Sequence, residues 1–348
     1  MAAAFKTDLR ALLAASRALL VVLVIAGVAW SVTRGGDEER LSSSPPSTTL
    51  PVPTDLPTVY PTPDFTLPPI PPLTAAPARG TWEFVGSTAN LYVGMSSAEA
   101  LADLNLLAQD SAVIGLNEVT RERAGLLRSW ASAREGWTFF SPTSPSNAYQ
   151  GLNAVLVDTK VFKVLDQGVL FGSRSSMTGY RINSRWITWM LLEHKRSSTR
   201  VSWVQTHMDA AVESNGRPRG GSGQRIRNNL EYMRVLQSTV ERLAQAGEVV
   251  VAGDWNVDAS ADRQVQDPAF PYAVLQGYGS DDSLPGLRSV YTELGLKSPS
   301  TSPGRWIDYI LTWKRPAAER VLSVRDYRIL APVNSDHNPV QAIFRIHR

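Results

Sequence analysis

Between Trp82 and Ile346 the chain repeats one pattern: a short apolar run whose far end presents an amide, a carboxylate or an imidazole. Residues 83–89 lead to Asn90, 112–116 to Asn117-Glu118, 201–205 to Thr206-His207, and 248–252 to Gly253-Asp254-Trp255-Asn256. Residues 306–313 carry Asp308, and Asn334-Ser335-Asp336-His337 runs into a last apolar stretch, 340–346. Short β-branched and aliphatic runs closed by Gly, Asn or Asp read as strands, as do 152–157 and 186–193. Strands whose corresponding ends are polar gather those groups along one edge of a sheet.

Helical stretches lie between them. Residues 97–109 place Ala100, Leu101, Leu104, Leu107 and Ala108 on one face behind Ser97, and 224–246 do the same with Ile226, Leu230, Met233, Leu236, Val240 and Leu243. No fixed-period repeat is visible, which argues against a solenoid. Strands and helices mixed in one block predict an α+β domain over 81–348: two packed sheets with helices outside, a four-layer α/β/β/α sandwich.

The first eighty residues do not fit that block. Lys6, Arg10 and Arg17 precede an apolar run, 18–32, which Arg34 and Asp37 to Arg40 close, so 1–34 reads as an export or anchor signal. An uncleaved anchor with the rest of the chain outside the cell is the favoured expectation; a cleaved signal peptide and a secreted protein is the alternative. Residues 35–80 are rich in Pro, Ser and Thr, as in Pro68-Pro69-Ile70-Pro71-Pro72, and predict a disordered, polyproline-like spacer. The chain has no cysteine, which excludes disulfides, thiolate metal sites and a cysteine nucleophile. A formal net charge of +3 is too small to mark a nucleic-acid binder by itself. No obligate protein partner is inferred.

Each polar strand end alone also has a structural reading. Gly253 to Asn256 suits a turn, Asn117-Glu118 a helix cap, and His207 a buried structural imidazole. Asp308 stands out, because a carboxylate among apolar strand residues is costly to bury without a partner, and His337 offers one. Taken in order, the pieces resemble the endonuclease/exonuclease/phosphatase superfamily, which includes DNase I-like nucleases, abasic-site endonucleases, neutral sphingomyelinases and inositol-polyphosphate 5-phosphatases. Asn90 matches the Asn ending the first strand, Asn117-Glu118 the strand end with the metal-binding Glu, and Thr206-His207 the mid-domain Thr-His element. Gly253-Asp254-Trp255-Asn256, Trp306-Ile307-Asp308-Tyr309-Ile310 and Ser335-Asp336-His337 match the three later motifs. Asn117 stands where Gln is usual, and Trp255 where Phe is usual.

The resemblance implies a divalent-metal-dependent phosphoesterase. Glu118 would be the principal ligand, with Asn90 and Asp336 nearby, for Mg²⁺, Mn²⁺ or Ca²⁺. Asp254 would activate water, Asn256 steady it, Asp308 hold His337 in one tautomer, and His337 and His207 face the phosphate. His194 and His347 read as uninvolved. The basic loop with Arg217, Arg219 and Arg225 follows His207 and suits phosphate groups. The expected substrate is a nucleic acid, a phospholipid or phosphomonoester the alternative, and a silent binding module the alternative of another class.

Overall fold

The computed structural model describes residues 79–142, 153–177, 182–276, 286–314 and 321–348. The anchor expected over 1–34 and all but the last two positions of the 35–80 linker lie outside these residues. Among the described residues no helix is long and apolar enough to cross a membrane.

One sheet contains β1 (Thr81–Asn90), β2 (Val113–Asn117), β3 (Trp137–Phe140), β4 (Ala154–Asp158), β13 (Leu322–Ile329) and β14 (Val340–His347), in the order β13-β14-β1-β2-β4-β3. The second contains β5 (Phe162–Met177), β6 (Ile182–His194), β7 (Arg200–His207), β10 (Glu248–Asp254), β11 (Gly286–Ser289) and β12 (Asp308–Lys314), in the order β11-β12-β10-β7-β6-β5. A short hairpin pairs β8 (Glu213–Ser214) with β9 (Arg217–Pro218), so the basic segment after His207 is ordered rather than a plain loop. The helices are α1 (Ser97–Leu107), α2 (Arg121–Ser132), α3 (Gly223–Leu243), α4 (Ala259–Val265) and α5 (Val290–Leu294).

The layering follows from the period of two along each strand. On β2 and β4, Val113, Val155 and Val157 point to the other sheet and join Phe84, Trp203 and Phe344. Their neighbours Ile114, Leu116, Ala154 and Leu156 point the opposite way, onto Leu104 and Leu107 of α1 and Leu127 and Trp130 of α2. Helix α3 covers the outer face of the second sheet with Tyr232, Met233, Leu236 and Val240. Ring contacts such as Phe84 stacked on Phe344 at 4.9 Å fill the space between the sheets. Two mixed sheets back to back with helices on both outer faces match the expected sandwich.

Several elements differ from expectation. β5 was not expected, because its glycines break the apolar run; a Cβ at Gly172 would lie 2.3 Å from the Tyr232 ring of α3, so close helix packing demands the gap. β13, β3 and β11 are likewise additional. β12 begins at Asp308 rather than at 306, which places that carboxylate at the strand's edge instead of in its middle.

Candidate active site

Two parallel strand pairs set the site. β1 runs parallel to β2 with Asn90 level with Asn117, and β10 runs parallel to β7 with Asp254 level with His207. β12 is antiparallel to β10 and starts where β10 stops, pairing Asp308 with Asp254. β14 starts beside Thr88, so the 334–339 segment leading into it also lies at this end. Sequence positions more than two hundred residues apart therefore share one edge.

Asn117 joins the two sheets there. Its Nδ2 donates to Asn153 Oδ1 and to the Thr206 carbonyl, both at 2.8 Å, while its Oδ1 accepts from Gln205 Nε2 at 3.0 Å and Asp254 N at 3.1 Å. A fully buried amide with every group satisfied fixes the spacing between β2 and the ends of β7 and β10. Nothing beside Asn117 along the chain signals this role. Gly253 permits the same closeness: its φ is +147°, and a Cβ there would sit 1.9 Å from Thr206 O.

Asp254 is the centre of the polar cluster. Its Oδ2 accepts from Asn90 Nδ2 at 3.0 Å and lies 3.4 Å from His207 Nε2 and 4.0 Å from His337 Nδ1; its Oδ1 accepts from Asn256 N at 2.9 Å. Asn256 adopts φ +55°, a left-handed conformation that Asn tolerates, and its Nδ2 donates to Met208 O at 3.0 Å. It thus steadies Asp254 directly, through its backbone. Trp255 is fully buried and stacks on Tyr309 at 5.5 Å, which accommodates the ring larger than the usual Phe.

His337 Nδ1 hydrogen-bonds Asp308 Oδ2 at 2.9 Å, the pairing expected from the sequence. Burial alone would lower the His337 pKa, but the Asp308 and Asp254 carboxylates outweigh it and hold the imidazole up to about 10. Burial, with Asp308 adding, raises Asp254 above the carboxylate range while His337 opposes. His207 is driven the other way, well below its ordinary value, by burial, by Arg185 and by His337, so it is a neutral imidazole. Arg185 on β6 is itself 1% exposed; its Nε donates to Asp209 Oδ1 at 2.7 Å, while Nη1 is buried with no protein partner. Ser175 Oγ also donates to Asp209, and Asp209 N donates to Asn229 of α3. No motif signalled this arginine.

The oxygen donors suited to a hard cation lie beside this cluster. Glu118 is half-buried at φ +57°, accepting from Val93 N at 2.8 Å and Asn90 Nδ2 at 3.2 Å. Asn90 Oδ1 is buried and has no hydrogen-bond partner. One carboxylate plus an orphaned amide oxygen on rigid strand ends fits a divalent cation that keeps several waters. Arg123 of α2 braces the segment behind it, donating to the carbonyls of Leu91, Tyr92 and Met95. Asp336 is exposed, and no described hydrogen bond or ion pair joins it to Asn90 or Glu118. Among the described residues the tightest acid and imidazole group is instead Asp254, Asp308 and His337, with ligand atoms within 4.8 Å of one another. The closeness of that group reflects the direct His337–Asp308 hydrogen bond, whereas Asn90 Oδ1 is buried beside Glu118 without a partner, so the Asn90–Glu118 pair suits a cation better.

Arg217 and Arg219 are exposed at β9, and Arg225 is half-buried, donating to Ala210 O at 3.5 Å. None bonds to the cluster. His194 is buried away from it, with Nδ1 2.8 Å from Ser197 Oγ, and His347 Nε2 lies 2.9 Å from Ser323 Oγ. Neither touches the cluster, as expected, but the solvated setting expected of both holds for His347 only, since His194 is buried.

Two mixed sheets carrying this edge cluster define a sandwich of the endonuclease/exonuclease/phosphatase, DNase I-like type, and comparison with solved structures shows that fold. An endonuclease/exonuclease/phosphatase family protein from Bacteroides thetaiotaomicron superposes with a TM-score of 0.55 at 14% identity, over 77% of this chain and 97% of that one. A humanized D. rerio TDP2 gives 0.54 at 13% identity, over 75% and 98%. The Bacteroides thetaiotaomicron mannosyl-6-phosphatase Bt3783 gives 0.53 at 16%, over 74% and 98%. No family model and no curated protein matches the sequence.

Proposed function

We propose that residues 81–348 hydrolyse a phosphoester by in-line attack of water. The observation that carries this reading is the convergence, at one sheet edge, of Asp254, the Asp308–His337 pair and neutral His207 beside the Glu118–Asn90 oxygens. A divalent cation, Mg²⁺ in the first instance, would be held by Glu118 and Asn90 with Asp336 on the adjoining loop, and supplies charge neutralisation to the phosphoryl oxygens. Asp254, raised towards neutrality by burial, takes a proton from the attacking water, and the Asn256 N–H keeps its carboxylate oriented. His337 donates to a phosphoryl oxygen as charge builds, with Asp308 fixing the ring. His207, next to Asp254 on the neighbouring strand, faces the same group as a neutral imidazole, with the buried Arg185 adding positive charge close enough to lower its pKa.

For the substrate we favour a nucleic acid. Arg217, Arg219 and Arg225 follow the strand end that carries His207, where a phosphate backbone leaving the site would pass. One structural neighbour, D. rerio TDP2, is described in complex with a single-strand DNA product, whereas Bt3783 is a mannosyl-6-phosphatase, which keeps a phosphomonoester as the second reading. Residues 1–34 and the Pro-rich spacer support an extracellular, membrane-anchored enzyme. The intact cluster argues against a silent binding module. The test is hydrolysis of plasmid DNA, sphingomyelin, a chromogenic phosphodiester and a chromogenic phosphomonoester by the full-length protein, with Mg²⁺ and with EDTA. EDTA-sensitive cleavage of the plasmid supports the reading; cleavage of the monoester alone selects the alternative, and cleavage of none overturns the enzyme.

A further inference from the structure

Asp103 lies in helix α1, outside every motif discussed above, yet its carboxylate is spent entirely on the loop that carries His337. It is 4% exposed and receives hydrogen bonds from two consecutive residues: Asn334 N to both oxygens at 3.0 Å, Asn334 Nδ2 to Oδ1 at 2.6 Å, and Ser335 N to Oδ2 at 3.1 Å. Ser335 passes the constraint on. Its Oγ donates to Asn90 O at 2.6 Å and accepts from His337 N at 3.2 Å. The relay ends at the His337–Asp308 hydrogen bond.

The helix does not depend on this contact, whereas the backbone of the loop has no comparable one. α1 has its own capping box, between Ser96 and Glu99, and its own apolar contacts through Ala100, Leu104 and Leu107. Residues 333–337 make no backbone–backbone hydrogen bond among the described residues; the nearest are Leu330 N to Pro339 O and Asn338 N to Thr301 O. A carboxylate is expensive to bury, and an apolar residue at 103 would serve the packing of α1 equally well. What a carboxylate adds is a set of acceptors for converging N–H groups that no neighbouring backbone provides.

We propose that Asp103 is a positioning residue for the phosphate site, holding Asn334 and Ser335 so that His337 stays hydrogen-bonded to Asp308 and aimed at the cluster. The inference rests on the role given to His337 under the proposed function, but it has a readout that needs no turnover. In Asp103→Asn the shape is kept while one acceptor oxygen becomes an amide donor facing other donors. The full-length protein is compared with this variant by kcat and KM, by melting temperature, and by the His337 Nδ1–H proton resonance, identified by its loss in His337→Ala. The expected result is an unchanged KM and a near wild-type melting temperature. With them should come a kcat about tenfold lower or more and a Nδ1–H resonance shifted upfield or broadened away. An unshifted resonance overturns the proposal, whatever happens to kcat; a shifted resonance with a wild-type kcat overturns it equally. If the wild type hydrolyses nothing, the function fails separately and the resonance alone decides. Should Asp103→Asn not fold, Asn334→Ala, which removes only the side-chain arm, is read by the same criteria.

Discussion

Asp254 and His337 carry the chemistry through different physics. Asp254 is useful because burial and Asp308 lift its proton affinity, so it can take a proton near neutral pH; His337 is useful because two carboxylates keep it charged. Replacing either by Ala should lower kcat on the order of 10²-fold or more with the fold retained, as measured by initial rates on whichever ester is cleaved. A variant within a few-fold of wild type would remove that residue from the mechanism. Gly253 is a backbone case at the same spot. Gly253→Ala forces a Cβ against Thr206 O at a φ that L-residues avoid, and should cost about 2–4 kcal/mol by urea denaturation, with activity lost alongside stability.

At the level of elements, α4 shows how a buried acid sets pH dependence away from the catalytic edge. Asp262 on α4 accepts from Tyr272 N at 2.8 Å, tying the helix to the π-helical turn Tyr272–Gln276, while its other oxygen is buried without a partner. Burial, with Asp267, Glu213 and Asp258 adding to it against the Tyr272 bond, raises its pKa to about 7. The folded state therefore holds a proton that the unfolded chain releases near its ordinary carboxyl value, so stability falls as pH rises from about 4 to about 7 and is flat beyond. Asp262→Asn keeps an acceptor for Tyr272 and removes the ionisation. It should be more stable than wild type at pH 8 by about 1–3 kcal/mol and show a shallower slope across that window, Asp254 keeping its own share, in urea titrations at pH 5 and pH 8. Equal slopes in the two proteins would refute the assignment. Elements also mark how far the sequence could be read. Strands ending in Asn90, Glu118, His207 and Asp254 were legible because an apolar run closed by polar residues is a local signal. β5 was not, since its glycines make sense only against Tyr232 of a helix fifty residues on. Arg185 and Asp103 were missed, and so was the bridging role of Asn117, for the same reason: their partners are brought near by the fold.

Across the whole molecule, the site is a seam. Asn90, Glu118 and the Ser335–His337 loop belong to the sheet that contains β1 and β14, whereas His207, Asp254 and Asp308 end strands of the other sheet. Asn90 Nδ2, donating to both Glu118 and Asp254, is one of the few side chains that bridge the halves at this edge. A cation bound at Glu118 and Asn90 would lie on the first sheet's side of the seam and reach the other sheet only through Asn90, whose Nδ2 donates to Asp254, and its binding free energy would appear as global stability. At a hundredfold excess over its dissociation constant a ligand specific for the folded state adds about 2.7 kcal/mol. For a domain of this size that is a melting shift on the order of 5 °C or more. Mg²⁺ or Mn²⁺ should produce such a saturable rise in full-length protein, EDTA should reverse it, and Ca²⁺ in place of either tests ion size. In Glu118→Gln the amide can still accept from Val93 N, so the metal-free melting temperature should stay close to wild type while the metal-induced rise disappears. A rise of equal size and midpoint in Glu118→Gln would move the cation to the Asp254, Asp308 and His337 group, and with it the division of labour between the two sheets.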